Sequence, residues 1–198
     1  MKKIIEKIEF FYQFLNKTKV VGSVLPSSKY LANKMLSFIN FKRKNLVIIE
    51  YGPGTGPFTT EIAKQLKHTD QLIVIELNSK FATDLKEKFK DYNNVHIYED
   101  CVANTKDILQ KENITKVDYI ISGIPFSSIP KEVSENILIT TKQLMDEETL
   151  FITFQYSKFK KNIFEKYFNI LETKFVLKNK CNKLAKVVIH IFEIVGYY

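Results

Sequence analysis

Residues 47–59, with the sequence VIIEYGPGTGPFT, decide the fold of this 198-residue chain. An apolar run of strand character leads into a loop that contains Gly52, Gly54 and Gly56, and a helix-like segment follows from Pro57. In an open parallel sheet a ligand binds where the first strand turns into its helix. Glycines let such a loop turn tightly and approach a ligand closely. The stretch therefore predicts a ligand site directly after the first strand.

Short β-branched runs alternate with longer amphipathic segments along the chain. The predicted strands are residues 46–51, 71–77, 94–98, 116–122, 149–156, 171–178 and 186–195, and the predicted helices are residues 2–15, 27–38, 58–67, 79–91, 103–111, 131–145 and 159–168. This alternation indicates an α/β fold with a mainly parallel sheet covered on both faces. The last two strands are close in sequence, which predicts an antiparallel hairpin. We expect a single domain over residues 1–198, in which residues 1–45 form a helical lead.

Cysteine and histidine usage argues against two classes of site. Cys101 and Cys181 form no CxxC pair and the three histidines are scattered, so we expect neither a disulfide framework nor a bound metal. Glu6 and Glu9 interrupt the apolar run at the N-terminus, and no run elsewhere is long enough to span a membrane. We therefore expect a cytoplasmic protein that is soluble or peripheral on the inner face of the membrane.

The net charge of +8 is concentrated at two ends of the chain. Between residues 1 and 46, ten lysines and arginines face two glutamates, and between residues 157 and 186, nine lysines face two glutamates. Such asymmetry predicts that both ends contribute to a surface attracted to a polyanion, either an anionic membrane or nucleic acid. A solvated lysine-rich surface is the alternative.

The glycine loop does not match the two common phosphate-binding patterns. Pro57 occupies the sixth position, where the dinucleotide fingerprint requires glycine, and the Gly-Lys-Ser/Thr of a P-loop is absent. Glu50, two residues before Gly52, would repel a pyrophosphate but suits a cationic ligand group. S-adenosylmethionine carries such groups, an ammonium and a sulfonium.

Two further carboxylates follow the next strands. Glu76 closes the second strand in LIVIELN, where it is placed to bind both ribose hydroxyls, and Asp100 follows the third strand in EDCV, where it can accept a hydrogen bond from an adenine amino group. A solvated strand-end carboxylate is the commoner case for each acid alone. Three acids at successive strand ends beside the glycine loop favour binding of S-adenosylmethionine.

The segments EYGPGTG, IELN and EDC resemble the first three motifs of class I S-adenosylmethionine-dependent methyltransferases. The resemblance implies the strand order 3-2-1-4-5-7-6. It places Glu50, Gly52, Gly54 and Gly56 around the methionine part of the cofactor. It also implies that four residues farther along the chain contact the cofactor: Glu76 at the ribose, Asp100 and Cys101 near the adenine, and Ser122 at the end of the fourth strand. A buried apolar thiol is the simpler account of Cys101.

The segment SGIPF, residues 122–126, is expected to border the methyl acceptor. Adenine-N6 methyltransferases, including the rRNA dimethyltransferases, have Asn-(Leu/Ile)-Pro-(Tyr/Phe) here, and the asparagine side chain holds the target amine. In register, Gly123 stands where that asparagine would be, so the most diagnostic group of the N6 enzymes is missing. Phe126 is a candidate to stack on a base, or else it caps the core.

Bacterial phospholipid N-methyltransferases give a closer resemblance outside the cofactor motifs. It rests on residues 14–28 (FLNKTKVVGSVLPSS), on SGIPF with the following Pro130, and on FQYS at residues 154–157. It implies methylation of phosphatidylethanolamine toward phosphatidylcholine, with Gly123, Pro125 and Phe126 near the substrate. The C-terminal residues 178–194 match less well, because the proline-rich signature expected before the last strand is absent.

The N-terminal helix and two tyrosines complete the lipid hypothesis. Ile4, Ile8, Phe11 and Leu15 recur at helical spacing, which fits either packing over the sheet or insertion in a membrane interface. The strand-end residue Tyr156 is the candidate for orienting the amine; an ordinary structural tyrosine is the alternative. Tyr12 and Tyr30 are further candidates, while Ser27 and Ser28 are expected to cap the second helix. The open alternatives are an rRNA adenine-N6 methyltransferase, a non-catalytic cofactor-binding protein and a small-molecule methyltransferase.

Overall fold

The computed structural model describes residues 28–126, 129–155, 161–178 and 185–194. The predicted helix over residues 2–15 and the candidates Tyr12, Ser27 and Tyr156 lie outside these ranges. Six helices and seven strands are present in the described part of the chain, with a short 3₁₀ helix at Val102–Asn104. The helices are α1 (Ser28–Leu36), α2 (Pro57–Ala63), α3 (Ser79–Lys88), α4 (Thr105–Lys111), α5 (Lys131–Leu144) and α6 (Lys161–Phe164). The strands are β1 (Val47–Tyr51), β2 (Gln71–Glu76), β3 (Val95–Glu99), β4 (Tyr119–Ser122), β5 (Leu150–Gln155), β6 (Phe168–Lys178) and β7 (Ala185–Ile194).

The seven strands form one sheet in the order β3-β2-β1-β4-β5-β7-β6, which confirms the predicted order. Strands β1 to β5 pair in parallel, whereas β7 lies antiparallel between β5 and β6. The carboxyl ends of β1 to β5 therefore meet at one edge of the sheet. This edge carries the loops that follow Tyr51, Glu76, Glu99, Ser122 and Gln155.

Both faces of the sheet are covered, as the continuous apolar strands predict. One face packs Ile49, Tyr51 and Ile120 against residues of α4 and α5, such as Ile108 and Leu138. The opposite face packs the central strands against α1, α2 and α3 through the side chains of Leu31, Met35, Ile48, Phe58, Ile62, Ile121 and Leu85. The central strands are thus held rigidly from two sides, and their carboxyl ends provide a fixed base for the loops above them.

The two helices that differ most from their predicted bounds are α2 and α6. The helix predicted over residues 58–67 ends at Ala63, and Asp70 then accepts hydrogen bonds from the amides of Lys67 and Leu46, which turns the chain into β2. The helix predicted over residues 159–168 is reduced to α6, and Phe168 already belongs to β6. The Phe168 ring packs against Phe151, and this core contact fixes that residue in the sheet.

The loop at residues 42–44 lies at the amino ends of the strands, on the far side of the sheet from the carboxyl-end edge. Lys67 Nζ donates to the carbonyl oxygens of Phe41, Lys42 and Arg43 at 2.7, 2.9 and 2.5 Å. The Arg43 guanidinium pairs with Asp118 at 2.8 Å. The prediction that both ends of the chain contribute to one surface attracted to a polyanion stays a prediction, and residues 42–44 lie away from the carboxyl-end edge.

Candidate functional site

The loop between β1 and α2 contains three glycines with left-handed backbone angles, φ 62° at Gly52, 59° at Gly54 and 75° at Gly56. Side chains rarely adopt these angles. Gly56 has a second reason to be glycine, because a Cβ there would lie 2.4 Å from Leu85 Cδ2 of α3. A Cβ at Gly54 would meet no atom within 4 Å, so that position is open. The loop is thus packed against α3 at one end and free beside Gly54.

Glu76 ties the glycine loop to the start of α3. Its Oε2 accepts a hydrogen bond from the Gly54 amide at 3.0 Å, and its Oε1 accepts one from the Asn78 amide at 2.8 Å. Burial raises the pKa of this carboxyl, and the backbone amides oppose the shift. The ribose contact expected for Glu76 stays a prediction. Each carboxylate oxygen has a second lone pair, so holding the loop leaves acceptor capacity for a ligand.

Glu50 is a fully buried acid, and the effect of burial on its pKa outweighs the opposing positive charge of Lys88. Its side chain has 0% exposure, and neither carboxylate oxygen has a hydrogen-bond partner within the described residues. Burial raises the pKa of Glu50 from 4.5 to about 8, while Thr59 opposes the shift and the negative charge of Glu76 adds to it. Burying an unpaired acid is costly. A cationic ligand group would satisfy both oxygens.

Asp100 and Cys101 lie beyond β3, where the sequence predicts the adenine end of the site. Asp100 Oδ1 accepts hydrogen bonds from the Cys101 amide at 2.6 Å and from Asn104 Nδ2 at 2.7 Å. Sequence reasoning missed Asn104; its only signal is its position four residues after Asp100, directly before α4. Cys101 is buried, and burial raises the pKa of its thiol. The simpler account of Cys101, a buried thiol, is consistent with this packing.

A cleft of about 450 Å³, solvent at its mouth included, opens at this edge of the sheet. Gly52, Asp100, Cys101 and Pro125 line it, which brings together four of the predicted site residues. Sequence reasoning missed the apolar wall opposite them, which comes from β2, α5 and the segments beside them: Ile75, Leu77, Ile124, Ile129, Val133 and Ile137. A largely apolar cleft with a few polar groups is typical of small-molecule sites.

The loop at residues 122–126 contacts the glycine loop through its backbone. The Gly123 amide donates to the Tyr51 carbonyl at 2.9 Å. A Cβ at Gly123 would lie only 2.7 Å from the Gly52 carbonyl oxygen, which is closer than real Cβ contacts allow. Ser122 is buried, and its hydroxyl accepts a hydrogen bond from the Ile124 amide at 3.2 Å. Position 123 therefore has no room for a side chain.

Two aromatic residues predicted near the acceptor do not line the cleft. Phe126 is 2% exposed, and its ring packs edge-on against Phe164 at 5.1 Å between centroids. This packing is consistent with the alternative in which Phe126 caps the core, and contact of Phe126 with the substrate stays a prediction. Tyr30 on α1 is 57% exposed and is not among the residues that line the cleft.

The described residues include no group of three or more His, Cys, Asp or Glu side chains that could hold a metal ion. Within the same residues, no helix combines the length and the apolar character needed to cross a membrane.

The strand order, the glycine loop and the acid at the end of β2 together define a class I S-adenosylmethionine-dependent methyltransferase. The family model described as ribosomal RNA adenine dimethylase matches residues 6–180. The chain belongs to this family, and it is a methyltransferase that uses S-adenosylmethionine.

Two curated relatives differ in how much of their length the chain covers. An ornithine lipid N-methyltransferase of Singulisphaera acidiphila is 29% identical over 168 residues, which are 82% of this chain and 87% of that protein. Ribosomal RNA small subunit methyltransferase A of Mycoplasma mycoides is 34% identical over 128 residues, or 65% of this chain and 45% of that protein. The chain thus spans most of the first relative and less than half of the second.

Solved structures share the fold at low sequence identity. The N-methyltransferase NodS from Bradyrhizobium japonicum, in complex with S-adenosyl-L-homocysteine, has a TM-score of 0.68 and 10% identity, covering 86% of this chain and 89% of that one. A putative RNA methyltransferase from Pyrococcus horikoshii has a TM-score of 0.60 and 17% identity, with 83% and 82% covered. At these identities the likeness shows the architecture alone.

Proposed function

We propose that this enzyme methylates the primary amine of a membrane phospholipid head group, phosphatidylethanolamine, at the inner face of the cytoplasmic membrane. The observation that carries this proposal is the contact at Gly123. Because a Cβ at that position would lie 2.7 Å from the Gly52 carbonyl, no side chain can extend from it to hold the amine of a base. The acceptor must be held in another way, which suits an aliphatic amine.

The residues at the carboxyl-end edge fit the cofactor. Glu50, with two unpartnered buried oxygens, would face the cationic methionine part together with Gly52, Gly54 and Gly56, while Glu76 would hold the ribose and Asp100 the adenine. Ser122 fixes the loop that separates this region from the acceptor. When bound, S-adenosylmethionine supplies an activated methyl group: the amine lone pair forms the N–C bond, the S–C bond electrons stay on sulfur, and the product ammonium releases a proton to solvent.

The protein's contribution to the reaction is positioning. The apolar wall of the cleft excludes water, which favours the neutral amine, and the loops after β1 and β4 fix the two reactants in line. Tyr156 remains the candidate for orienting the amine, and its position at the end of β5 lies outside the described residues. Contact of its ring with a methylated ammonium would be a cation–π interaction.

The relatives support a lipid acceptor without identifying the head group. The relative whose length this chain nearly spans is named as an ornithine lipid N-methyltransferase, and ornithine lipids also present an aliphatic amine. The ribosomal RNA relatives carry more than half of their length outside the matched segment. Substrate recognition by those proteins can therefore involve parts that have no counterpart in the match.

Methylation of adenine N6 in ribosomal RNA is the second candidate. The family model favours it by description and by its match over residues 6–180. The site opposes it at two positions, because Gly123 provides no side chain and the Phe126 ring is buried against Phe164. The lipid proposal requires neither group.

Membrane docking is proposed for the N-terminal helix and for the basic residues at the two ends of the chain other than residues 42–44. Residues 10, 11, 14 and 15 of that helix are Phe, Phe, Phe and Leu, and each lysine near an anionic leaflet contributes roughly 1 kcal/mol of attraction. Attraction of this kind weakens with salt.

The test is transfer of a labelled methyl group from S-adenosylmethionine, followed by phase separation of lipid from RNA. Vesicles of phosphatidylethanolamine with an anionic lipid, vesicles of ornithine lipid and purified small-subunit rRNA are offered in parallel. Label in the phosphatidylethanolamine fraction supports the proposal. Label in ornithine lipid alone would identify ornithine lipid as the methyl acceptor instead. Label in rRNA with none in either lipid overturns it. Deletion of residues 1–15 should abolish vesicle binding while leaving cofactor affinity intact.

A further inference from the structure

Glu50 lies on β1 beside Thr59 of α2, and it forms no hydrogen bond with the described residues. Its side chain has 0% exposure, and both carboxylate oxygens are without a partner in the part of the chain that the structure describes. The hydroxyl of Thr59 is also without a partner there. An ionised carboxylate in such a place loses its hydration and gains no bonds in return.

The charged groups around Glu50 do not compensate for this burial. Glu76 at the end of β2 adds a second negative charge, which raises the pKa of Glu50 further. Lys88 of α3 opposes the shift, but its Nζ donates to Thr60 Oγ1 at 2.7 Å on an exposed part of the chain. On the same face of the sheet, α1 and β4 contribute apolar side chains to the core, which include Leu31, Met35 and Ile121.

Glu50 and Glu76 have opposite surroundings, although both flank the glycine loop. The Glu76 oxygens accept hydrogen bonds from the Gly54 and Asn78 amides at 3.0 and 2.8 Å, and such bonds favour a charged carboxylate. Glu50 has no such bonds from the described residues. Two nearby carboxylates disfavour each other's ionised form. Of the two acids, Glu50 is therefore the one whose surroundings favour the neutral form.

We propose that Glu50 carries a proton in the cofactor-free protein and releases this proton when S-adenosylmethionine binds. The cofactor brings an ammonium and a sulfonium, and a cation in the site replaces the hydration that the ionised carboxylate lacks. The O–H bond of the carboxyl group breaks, its electron pair stays on oxygen, and the proton passes to solvent. The inference goes beyond the proposed function, because it concerns the cofactor and holds for any amine at the acceptor loop, residues 122–126.

The same coupling distinguishes the cofactor from its product. Methyl transfer converts the sulfonium into a neutral thioether, so S-adenosylhomocysteine keeps the ammonium but carries one positive charge fewer. The ionised form of Glu50 is then less well compensated, and the carboxyl takes up a proton again. Binding of S-adenosylhomocysteine should therefore release fewer protons than binding of S-adenosylmethionine, and this difference favours exchange of product for cofactor.

Calorimetry in buffers of different ionisation enthalpy counts the protons that are released on binding. At about pH 6.5 the amine of the free cofactor stays protonated. Because burial raises the pKa of Glu50 to about 8, we expect about one proton released per S-adenosylmethionine bound, and fewer per S-adenosylhomocysteine. The affinity for S-adenosylmethionine should rise roughly tenfold for an increase of one pH unit in this range. Binding of S-adenosylmethionine without proton release would overturn the inference.

Glu50→Gln assigns the proton to this residue, because glutamine keeps the shape of the side chain and does not ionise. The number of protons released should fall by about one, and the affinity for S-adenosylmethionine should lose its dependence on pH in this range. Glu99→Gln is the matched control, since Glu99 is an exposed acid at the end of β3 and should behave like the parent protein. An equal proton count in Glu50→Gln and the parent protein would assign the proton to another group and contradict the role of Glu50.

Infrared difference spectroscopy on the parent protein covers the case in which Glu50→Gln no longer binds the cofactor. The cofactor-free protein should show the C=O band of a protonated carboxyl group that Glu50→Gln lacks, and S-adenosylmethionine should remove this band. A cofactor-free spectrum without the band would refute the protonated state. None of these measurements involves the methyl acceptor. Their failure with lipid methylation intact would overturn this inference alone, whereas transfer to rRNA instead of lipid would overturn the proposed function alone.

Discussion

The two sides of the candidate site differ in which groups carry their chemistry. On the cofactor side, at the ends of β1 to β3, the polar groups are the carboxylates of Glu50, Glu76 and Asp100. On the acceptor side, the loop after β4 has no charged side chain, and its aromatic side chain, Phe126, is buried. Residue types therefore indicate the first side, whereas the second is shaped by contacts of its backbone with β1, β5 and α5.

Glu76→Ala should have the largest effect, because it removes the group that ties the cofactor side together. The change leaves the part-buried amides of Gly54 and Asn78 without their acceptor, at a cost of about 1 kcal/mol each. We expect the affinity for S-adenosylmethionine, measured by calorimetry, to fall roughly 100-fold. Glu99→Ala is the matched control, since Glu99 is an exposed acid that lies beside Glu76 in the register of β2 and β3. An unchanged affinity in Glu76→Ala would refute the assignment of this site.

Gly123→Ala tests the contact between the two sides. Its Cβ would lie 2.7 Å from the Gly52 carbonyl, so the glycine loop must move to accept it. Overpacking of this kind costs about 2 kcal/mol, and we expect roughly 30-fold weaker binding of S-adenosylhomocysteine although the change lies on the acceptor loop. Calorimetry measures this directly. Normal cofactor affinity combined with lost methyl transfer would show that the two loops move independently.

Glu50→Gln tests the raised pKa of Glu50 on the cofactor side through the pH dependence of the unfolding free energy. Burial raises the pKa of Glu50 from 4.5 to about 8, so the folded protein binds one more proton than the unfolded chain between these pH values. Stability is then lost as the pH rises through this window. Because glutamine does not ionise, the variant should gain roughly 1 kcal/mol in unfolding free energy per pH unit, relative to the parent protein, from pH 5 to 8. Urea unfolding at several pH values measures the gain. A gain that is the same at pH 5 and pH 8 would mean that the carboxyl titrates normally.

Tyr30→Ala should have the smallest effect. The side chain is 57% exposed on α1, and surface changes of this kind usually alter stability by less than about 0.5 kcal/mol. We expect cofactor affinity and methyl transfer within twofold of the parent protein. A tenfold loss of methyl transfer with normal cofactor affinity would show that Tyr30 takes part in binding the methyl acceptor.

Local patterns were sufficient to predict the alternation of strands and helices and the positions of three acids at one edge of the sheet. The predicted strand bounds place Glu50, Glu76 and Asp100 near the carboxyl ends of three successive strands. Parallel pairing of these strands then brings their carboxyl ends to one edge of the sheet. The order of the strands came from the family resemblance and is confirmed. The shortened α6 was not predictable by periodicity, because Phe164 and Phe168 fit a helical spacing, but only Phe164 lies in a helix.

The acceptor side depends on contacts between distant residues, which a single sequence does not reveal. Gln155 and Ser134 hold the acceptor loop from β5 and α5, and neither belongs to a recognisable pattern. Burial of Phe126 depends on Phe164, which lies 38 residues later in the chain. The absence of a side chain at Gly123 was visible in the sequence, but the reason for it, the nearby Gly52 carbonyl, required the structure.

The basic loop at residues 42–44 constrains how the enzyme can approach a charged bilayer. Strand β1 has five residues, so this loop is about 16 Å from the edge that carries the cleft. A bilayer that touches the cleft edge would lie about two Debye lengths away at physiological ionic strength. Lys42, Arg43 and Lys44 would then contribute almost nothing to adhesion, and neutralising them should leave vesicle binding unchanged.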